Sequence, residues 1–292
     1  GAKTVYNPTA PFQIDGQEVI AARVESKNSE RDYETRFFKR GEDGVWVPVA
    51  GAPRFKMQDP FHSVIAGEHI LGGVETFELP NGELGYKTVF YRGKTLESLT
   101  RFAAGPVGMK DIRLVDLQTQ GKILVFTRPQ GMIPGTDYSA GPGKVGAIVI
   151  DGLEQLTPEI IYRAKILEGL FKPDQWGGVN EGKLLEDGRV LLLLHTGEWK
   201  PNHERRYVAL TAEFDPATFQ FTPPEQILER SDLPGGLRGP AKRNDLRDVV
   251  FSGGLEFQDN NIVGWYGVGD AAVYSKPVRP KPQWKLAVTQ IR

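Results

Sequence analysis

Short apolar runs broken by turn dipeptides constrain this chain more than any other feature. Asp15-Gly16, Asp43-Gly44, Asn81-Gly82, Asp151-Gly152 and Asp187-Gly188 each punctuate such runs. Dipeptides of this kind supply the positive φ angles that tight hairpins require. Helical periodicity is nearly absent. The best helical candidate, 157–170, meets Pro158 at its start and is rich in β-branched residues, which predicts a strand with at most a short helix beside it. The pattern predicts an all-β chain, and 39% hydrophobic content is enough for a sizeable core.

The segment 105–131 displays the unit. Ile112, Leu114 and Val115 begin a strand, 118–121 is a turn, and 122–127 is a near-continuous apolar strand of the kind buried on both faces. Asp111 stands between Lys110 and Arg113 at the strand start, and Arg128 follows in a turn braced by Pro129 and Gly131. The theme of polar strand start, turn and apolar strand recurs in five degenerate copies, beginning near 12, 57, 105, 176 and 243. Asp59, Asp111, Asn180 and Asp248 hold comparable places, separated by 52, 69 and 68 residues. Propeller blades take roughly 40–50 residues before insertions. The expectation is a single five-bladed β-propeller over 1–292, with blade-leading strands lining a central channel and their polar ends meeting at one mouth. The tail 276–292 either closes the last blade against the first or packs outside it.

Composition excludes several classes. Lys and Arg number 36 against 37 Asp and Glu, a net charge of -1. No basic excess points to nucleic acid, and no charge block forms a tail. There are no cysteines, which removes disulfides and thiolate metal sites. His62 and His69 form no metal motif, so no metal or cofactor is expected. The apolar runs are too short to span a membrane, and no signal-peptide pattern opens the chain. A cytoplasmic home is compatible with these features.

The predicted mouth collects Gln58, Asp59, Glu75, Lys110, Asp111, Arg113, Asn180, Glu181, Asp245 and Asp248. So many ionisable groups at one opening oppose stability unless function uses them. Two bland alternatives stand beside this reading. Asp111 and Arg113 are a surface pair at a strand start, or the propeller binds without chemistry.

Several stretches carry a family resemblance: MQDPF at 57–61, GPVGMKDIRLVDL at 105–117, FTRPQG at 126–131, WGGVNE at 176–181 and KRNDLRDVVFSGGL at 242–255. They resemble a family described only as a domain of unknown function, itself similar to the protozoan dual-activity β-1,2-mannosyltransferase/phosphorylases. More distant relatives are the bacterial β-mannoside phosphorylases and the five-bladed propeller glycosidases. The resemblance runs from about residue 12 to about residue 273 and implies a glycosidase/phosphorylase-like five-bladed propeller.

For chemistry it implies a single catalytic acid. The bacterial phosphorylases carry an acid-Asp-Pro-Arg motif, matched here by Lys110-Asp111-Ile112-Arg113, so Asp111 is the expected acid. In those relatives the Asp passes its proton through a sugar hydroxyl to the bridging oxygen while phosphate attacks the anomeric carbon from the other face. Lys and Ile replace the acid and the Pro, leaving Asp and Arg in register. Glycosyl transfer runs through an oxocarbenium-like transition state with an acid on the leaving oxygen. An inverting hydrolase needs a second carboxylate to activate water. A phosphorylase needs a cationic cradle instead.

The expected phosphate-binding residues are Arg113, Arg128, Lys144, His203, Arg206, Tyr207 and Lys242. The expected sugar-binding residues are Gln58, Asp59, Glu75, Asn180, Glu181 and Asp248, with Trp176 as a stacking platform. Expected partners are mannose oligosaccharides with inorganic phosphate, mannose 1-phosphate or GDP-mannose. Each residue also has a plain structural role available. Arg128 braces a turn, Trp176 fills space between blades, and His195 is a core histidine at the end of a buried strand. The Gly141–Lys144 loop lacks P-loop spacing. The rival mechanism is an inverting glycoside hydrolase pairing Asp111 with a second carboxylate such as Asp59. A non-catalytic carbohydrate-binding propeller is the third alternative.

Overall fold

The computed structural model describes residues 3–27, 29–258 and 261–287. Its strands fall into five antiparallel groups in chain order. The first holds β1 (Lys3–Pro8), β2 (Phe12–Ile14), β3 (Gln17–Ser26), β4 (Ser29–Arg40) and β5 (Trp46–Pro48). The second holds β6 (Gln58–Ile65), β7 (Glu68–Glu78), β8 (Leu84–Gly93) and β9 (Thr100–Ala104). The third holds β10 (Arg113–Asp116), β11 (Ile123–Thr127), β12 (Gly146–Ile150) and β13 (Lys165–Ile166). The fourth holds β14 (Trp176–Leu184), β15 (Val190–Trp199), β16 (Arg205–Asp215), β17 (Gln220–Phe221) and β18 (Glu225–Leu228). The fifth holds β19 (Asp248–Gln258), β20 (Asn261–Val268) and β21 (Ala272–Val278). A short parallel pairing, Arg206 with Asp248 and Tyr207 with Val249, joins the fourth and fifth groups into one sheet.

The sheets pack face to face in sequence order, which gives a propeller-like all-β fold. Leu71 and Val89 of the second group meet Ala21 and Phe37 of the first. Phe61 and Ile70 meet Leu114 and Val125 of the third. Phe126 and Leu124 meet Leu192 and Val208 of the fourth, and Leu191 and Leu193 meet Leu255 and Ile262 of the fifth. The circuit closes where Trp46 lies edge-on to Trp265, ring centroids 5.6 Å apart. The strands β1, β6, β10, β14 and β19 touch one another in cyclic order and line the middle.

One sequence expectation changes in detail. The innermost strand of the first group is β1, which precedes the expected start at 12. Within 157–170 a short helix lies beside a strand, as expected: Pro158 opens a one-turn helix, α1 (Pro158–Ile161), whose first turn needs no N–H from it, Thr157 accepts the Ile160 N–H as cap, and β13 follows. The described part of the tail packs on the fourth group, Leu286 bridging Leu185 and the Ala287 N–H donating to the Leu184 carbonyl. Residues 288–292 of that tail lie outside the described residues. Among the described residues no helix is long and apolar enough to cross a membrane.

Candidate active site

Irregularities in the inner strands position the polar groups. The ladder register slips in β1 between Tyr6 and Pro8, in β6 between Gln58 and Phe61, in β14 between Val179 and Glu181, and in β19 between Ser252 and Gly254. A bulge adds a residue that the partner strand does not match and re-aims its side chain. Asn7, Asp59 and Asn180 occupy these positions. Asn7, Asp59 and Asp111 also share a left-handed backbone, with φ of 48°, 50° and 60°. Such angles are rare outside glycine but most tolerated by Asn and Asp.

Asp111 is 3% exposed and lies between two guanidiniums, 3.5 Å from Arg128 Nε and 3.9 Å from Arg113 Nη2. Burial alone raises its pKa. Arg128 first, then Lys110, His195 and Arg113, outweigh that effect and hold the carboxyl at about 2. His195 lies near it, itself pushed down to about 3 by burial and therefore neutral at pH 7. The His195 Nδ1 lies 2.7 Å from Asn180 Oδ1, an oxygen that only accepts, so the proton sits on Nδ1. Gly178 permits this convergence: a β-carbon there would lie 3.1–3.3 Å from His195, Asp111 and Arg128 at once.

Arg128 donates through Nε to the Gly177 carbonyl, 2.9 Å away, while its buried Nη1 has no hydrogen-bond partner. It forms part of the wall of a cavity of about 490 Å³. Gln58, Lys110, Trp176, Arg205 and Tyr207 line the same space, joined by Val74, Thr76, Tyr86, Gln130 and Trp199. Asp111 lies behind this wall. The cavity lining contains three cations and no carboxylate. Trp176 donates its indole N–H to the Tyr207 hydroxyl at 2.9 Å, and Tyr207 stacks on His195 with ring centroids 5.5 Å apart.

The remaining expected residues lie elsewhere. Arg113 sits deeper in the channel, donating to the carbonyls of Asn180 and Ile112 and lying over the Phe61 ring. Asp59 accepts from Asn7 at 2.7 Å and from Arg23 at 3.2 Å. Glu181 pairs with Lys183 and lines a second cavity of about 360 Å³, which also takes in His62 and His69. Glu75 is held by Arg101 and Lys87, on the face of β7 opposite Val74 and Thr76. Asp248 binds Lys200, and burial raises its pKa. Arg206 is engaged by Glu198 and Glu229. Lys144 pairs with Glu168 beside a separate cavity, His203 is exposed in the β15–β16 turn, and Lys242 pairs with Glu25.

Sequence reasoning does not separate Arg205 from Arg206 as an anion contact, and it is Arg205 that lines the cavity. Strand alternation carried the signal, because Arg205 and Tyr207 share one face of β16 and Arg206 takes the other. It also left His195 as a plain core residue, where it flanks Asp111. Asn7 and the bulges left no recognisable mark in the sequence.

Known proteins resemble this chain over nearly its whole length. MPT-1, a GDP-Man-dependent mannosyltransferase from Leishmania mexicana, is 29% identical, with a TM-score of 0.85 over 98% of this chain and 89% of that one. MPT-4, a mannose phosphorylase from Leishmania mexicana in complex with phosphate ion, is 27% identical, with a TM-score of 0.84 over 98% and 90%. A β-1,2-mannobiose phosphorylase from Listeria innocua shares the fold at 12% identity, with a TM-score of 0.64 over 94% and 89%. No curated protein matches the chain. The sequence model of a family described as protein of unknown function (DUF1861) matches residues 1–276.

Proposed function

The chain belongs to that family of unknown function, and from this premise we propose that it is an enzyme moving mannosyl units between a β-mannoside and an anionic carrier. The carrier is inorganic phosphate in a phosphorylase and mannose 1-phosphate or GDP-mannose in a transferase. We also read the five strand groups as five blades of one domain.

One observation carries the reading: the cavity in front of Asp111 is lined by Lys110, Arg128 and Arg205 and by no carboxylate. An inverting hydrolase needs a base on the far side of the sugar to activate water, and this lining offers none. A phosphate nucleophile needs no base and is attracted by the unpartnered buried Nη1 of Arg128. Asp59, the best candidate for a second carboxylate, is held by Asn7 and Arg23. The Leishmania neighbours add weight, one using GDP-Man and the other holding phosphate.

Asp111 serves as the acid in this mechanism. Its place behind the wall suits a relay in which a sugar hydroxyl carries the proton to the bridging oxygen. In the free protein it is ionised, so it must be loaded with a proton. An anion beside Arg128 weakens the cation that holds Asp111 ionised and raises its pKa. Phosphate in its protonated forms also supplies the proton that ends on the leaving sugar, so the reaction balances without another acid.

The test is product analysis. The protein is incubated with β-1,2-mannobiose with and without phosphate, with mannose 1-phosphate plus mannose, and with GDP-mannose plus mannose. Phosphate-dependent mannose 1-phosphate, or chain growth from either donor, supports the proposal. Mannose release without phosphate replaces it with hydrolysis. Absence of turnover in every arm leaves sugar binding or a different sugar.

A further inference from the structure

Trp199 is an anomaly on this surface. It is 57% exposed, although burying an indole is among the most favourable contributions a side chain makes. It lies at the end of β15 and lines the same cavity as Lys110 and Arg128. Its ring lies 5.7 Å from that of Trp176, tilted by 54°. Trp176 bonds Tyr207, Tyr207 stacks on His195, and His195 packs beside Asp111. A continuous aromatic path thus runs from an exposed rim to the buried carboxylate. Leu84, 59% exposed, also lines this cavity.

We propose that Trp199 is the platform of a distal subsite holding a neutral hexose ring of a mannoside chain, so that the protein prefers oligosaccharides to mannose or mannobiose. The proposal rests on the reading of the cavity as a mannoside site. A volume of about 490 Å³ falls in the range that encloses a ligand of several rings. Hexose rings present a C–H face that packs on indole, and their hydroxyls remain in water, which fits a platform left half open.

Charge argues against a nucleotide base in this position. Arg205 lies over the Trp199 ring, 5.1 Å from its centroid, and is paired with Asp245 at 3.7 Å. Only Lys110 and Arg128 then remain for an anion, enough for one phosphate group but poorly matched to a diphosphate that reaches the rim.

Two measurements test this. In turnover, kcat/KM is compared for mannotetraose and mannobiose in the parent and in Trp199→Ala and Trp199→Phe. The parent ratio should exceed one. Trp199→Ala should lower that ratio roughly 3- to 10-fold, the scale of one aromatic contact, and Trp199→Phe should restore most of it. In binding, calorimetry compares the two oligosaccharides and GDP on Asp111→Asn, with and without Trp199→Ala. Tetraose affinity that depends on Trp199 supports the subsite even if no turnover is found, a result that would reject the enzymatic reading alone. A parent ratio of one, an equal loss at both chain lengths, or a loss confined to GDP overturns the subsite.

Discussion

Replacing Arg128 by Met tests the electrostatics of the site most directly. The Arg128 Nε and the Asp111 carboxylate are 3.5 Å apart, and both side chains are almost fully buried. With Asp111 at about 2 in the folded protein and 3.8 as its ordinary value, the depression stabilises the fold by about 2 kcal/mol at neutral pH. The sign follows from the direction. A depressed carboxylate pKa contributes fully above the ordinary value and is lost as pH falls from 3.8 toward 2. Removing one cation at this distance raises a carboxylate pKa by about 1–3 units. Arg128→Met should therefore cost roughly 1–4 kcal/mol near pH 7. The gap should shrink to about half near pH 3, where the carboxylate is protonated in the variant and partly so in the parent. Urea unfolding of both proteins across this range measures the gap. A destabilisation that does not change with pH would mean that Arg128 acts through its packed stem, and would refute the charge argument.

Other perturbations have defined outcomes. Asp111→Asn should lower turnover by about 10²–10⁴-fold, the usual value of a positioned proton donor, while oligosaccharide binding by calorimetry persists; more than half the parental rate would reject the assignment. At Gly197→Ala the new methyl would lie 2.5 Å from Trp176 Nε1 and 2.6 Å from Tyr207 Cε1. Overpacking of this kind costs about 1–3 kcal/mol and should break the Trp176–Tyr207 hydrogen bond, visible as a shift of the indole N–H resonance. Asp270 is pushed up to about 6, chiefly by burial and against the pull of Arg23. Because its pKa is raised, the folded state loses stability as pH climbs from 3.8 through 6. Part of this loss is already present at pH 5, so Asp270→Asn should gain about 1–2 kcal/mol near pH 8 relative to pH 5; equal unfolding midpoints at the two pH values would contradict this.

The sequence by itself determined the fold class and the residues that carry charge. Turn dipeptides state where a hairpin reverses through local backbone sterics, and an apolar run such as Ile123–Thr127 states that a strand is covered on both faces. These are properties of neighbours along the chain. The residues at 59, 111 and 180 were legible as polar strand starts for the same reason. Only the tertiary structure decided which of them meet. Glu75 and Arg206 belong to the same strands as cavity-lining residues and point the other way, since one step along a strand reverses the face. Lys144 and Lys242 are committed to Glu168 and Glu25, partners distant in sequence. Asn7 meets Asp59, and Asn180 meets His195, from positions where inner strands bulge, and a bulge is set by how two strands register rather than by the residue that forms it. A polar or acidic residue at the start of a repeat, such as those at 59, 111, 180 and 248, can be read from letters; whether it faces a cation, a carbonyl or solvent depends on distances that exist only after the sheets have closed.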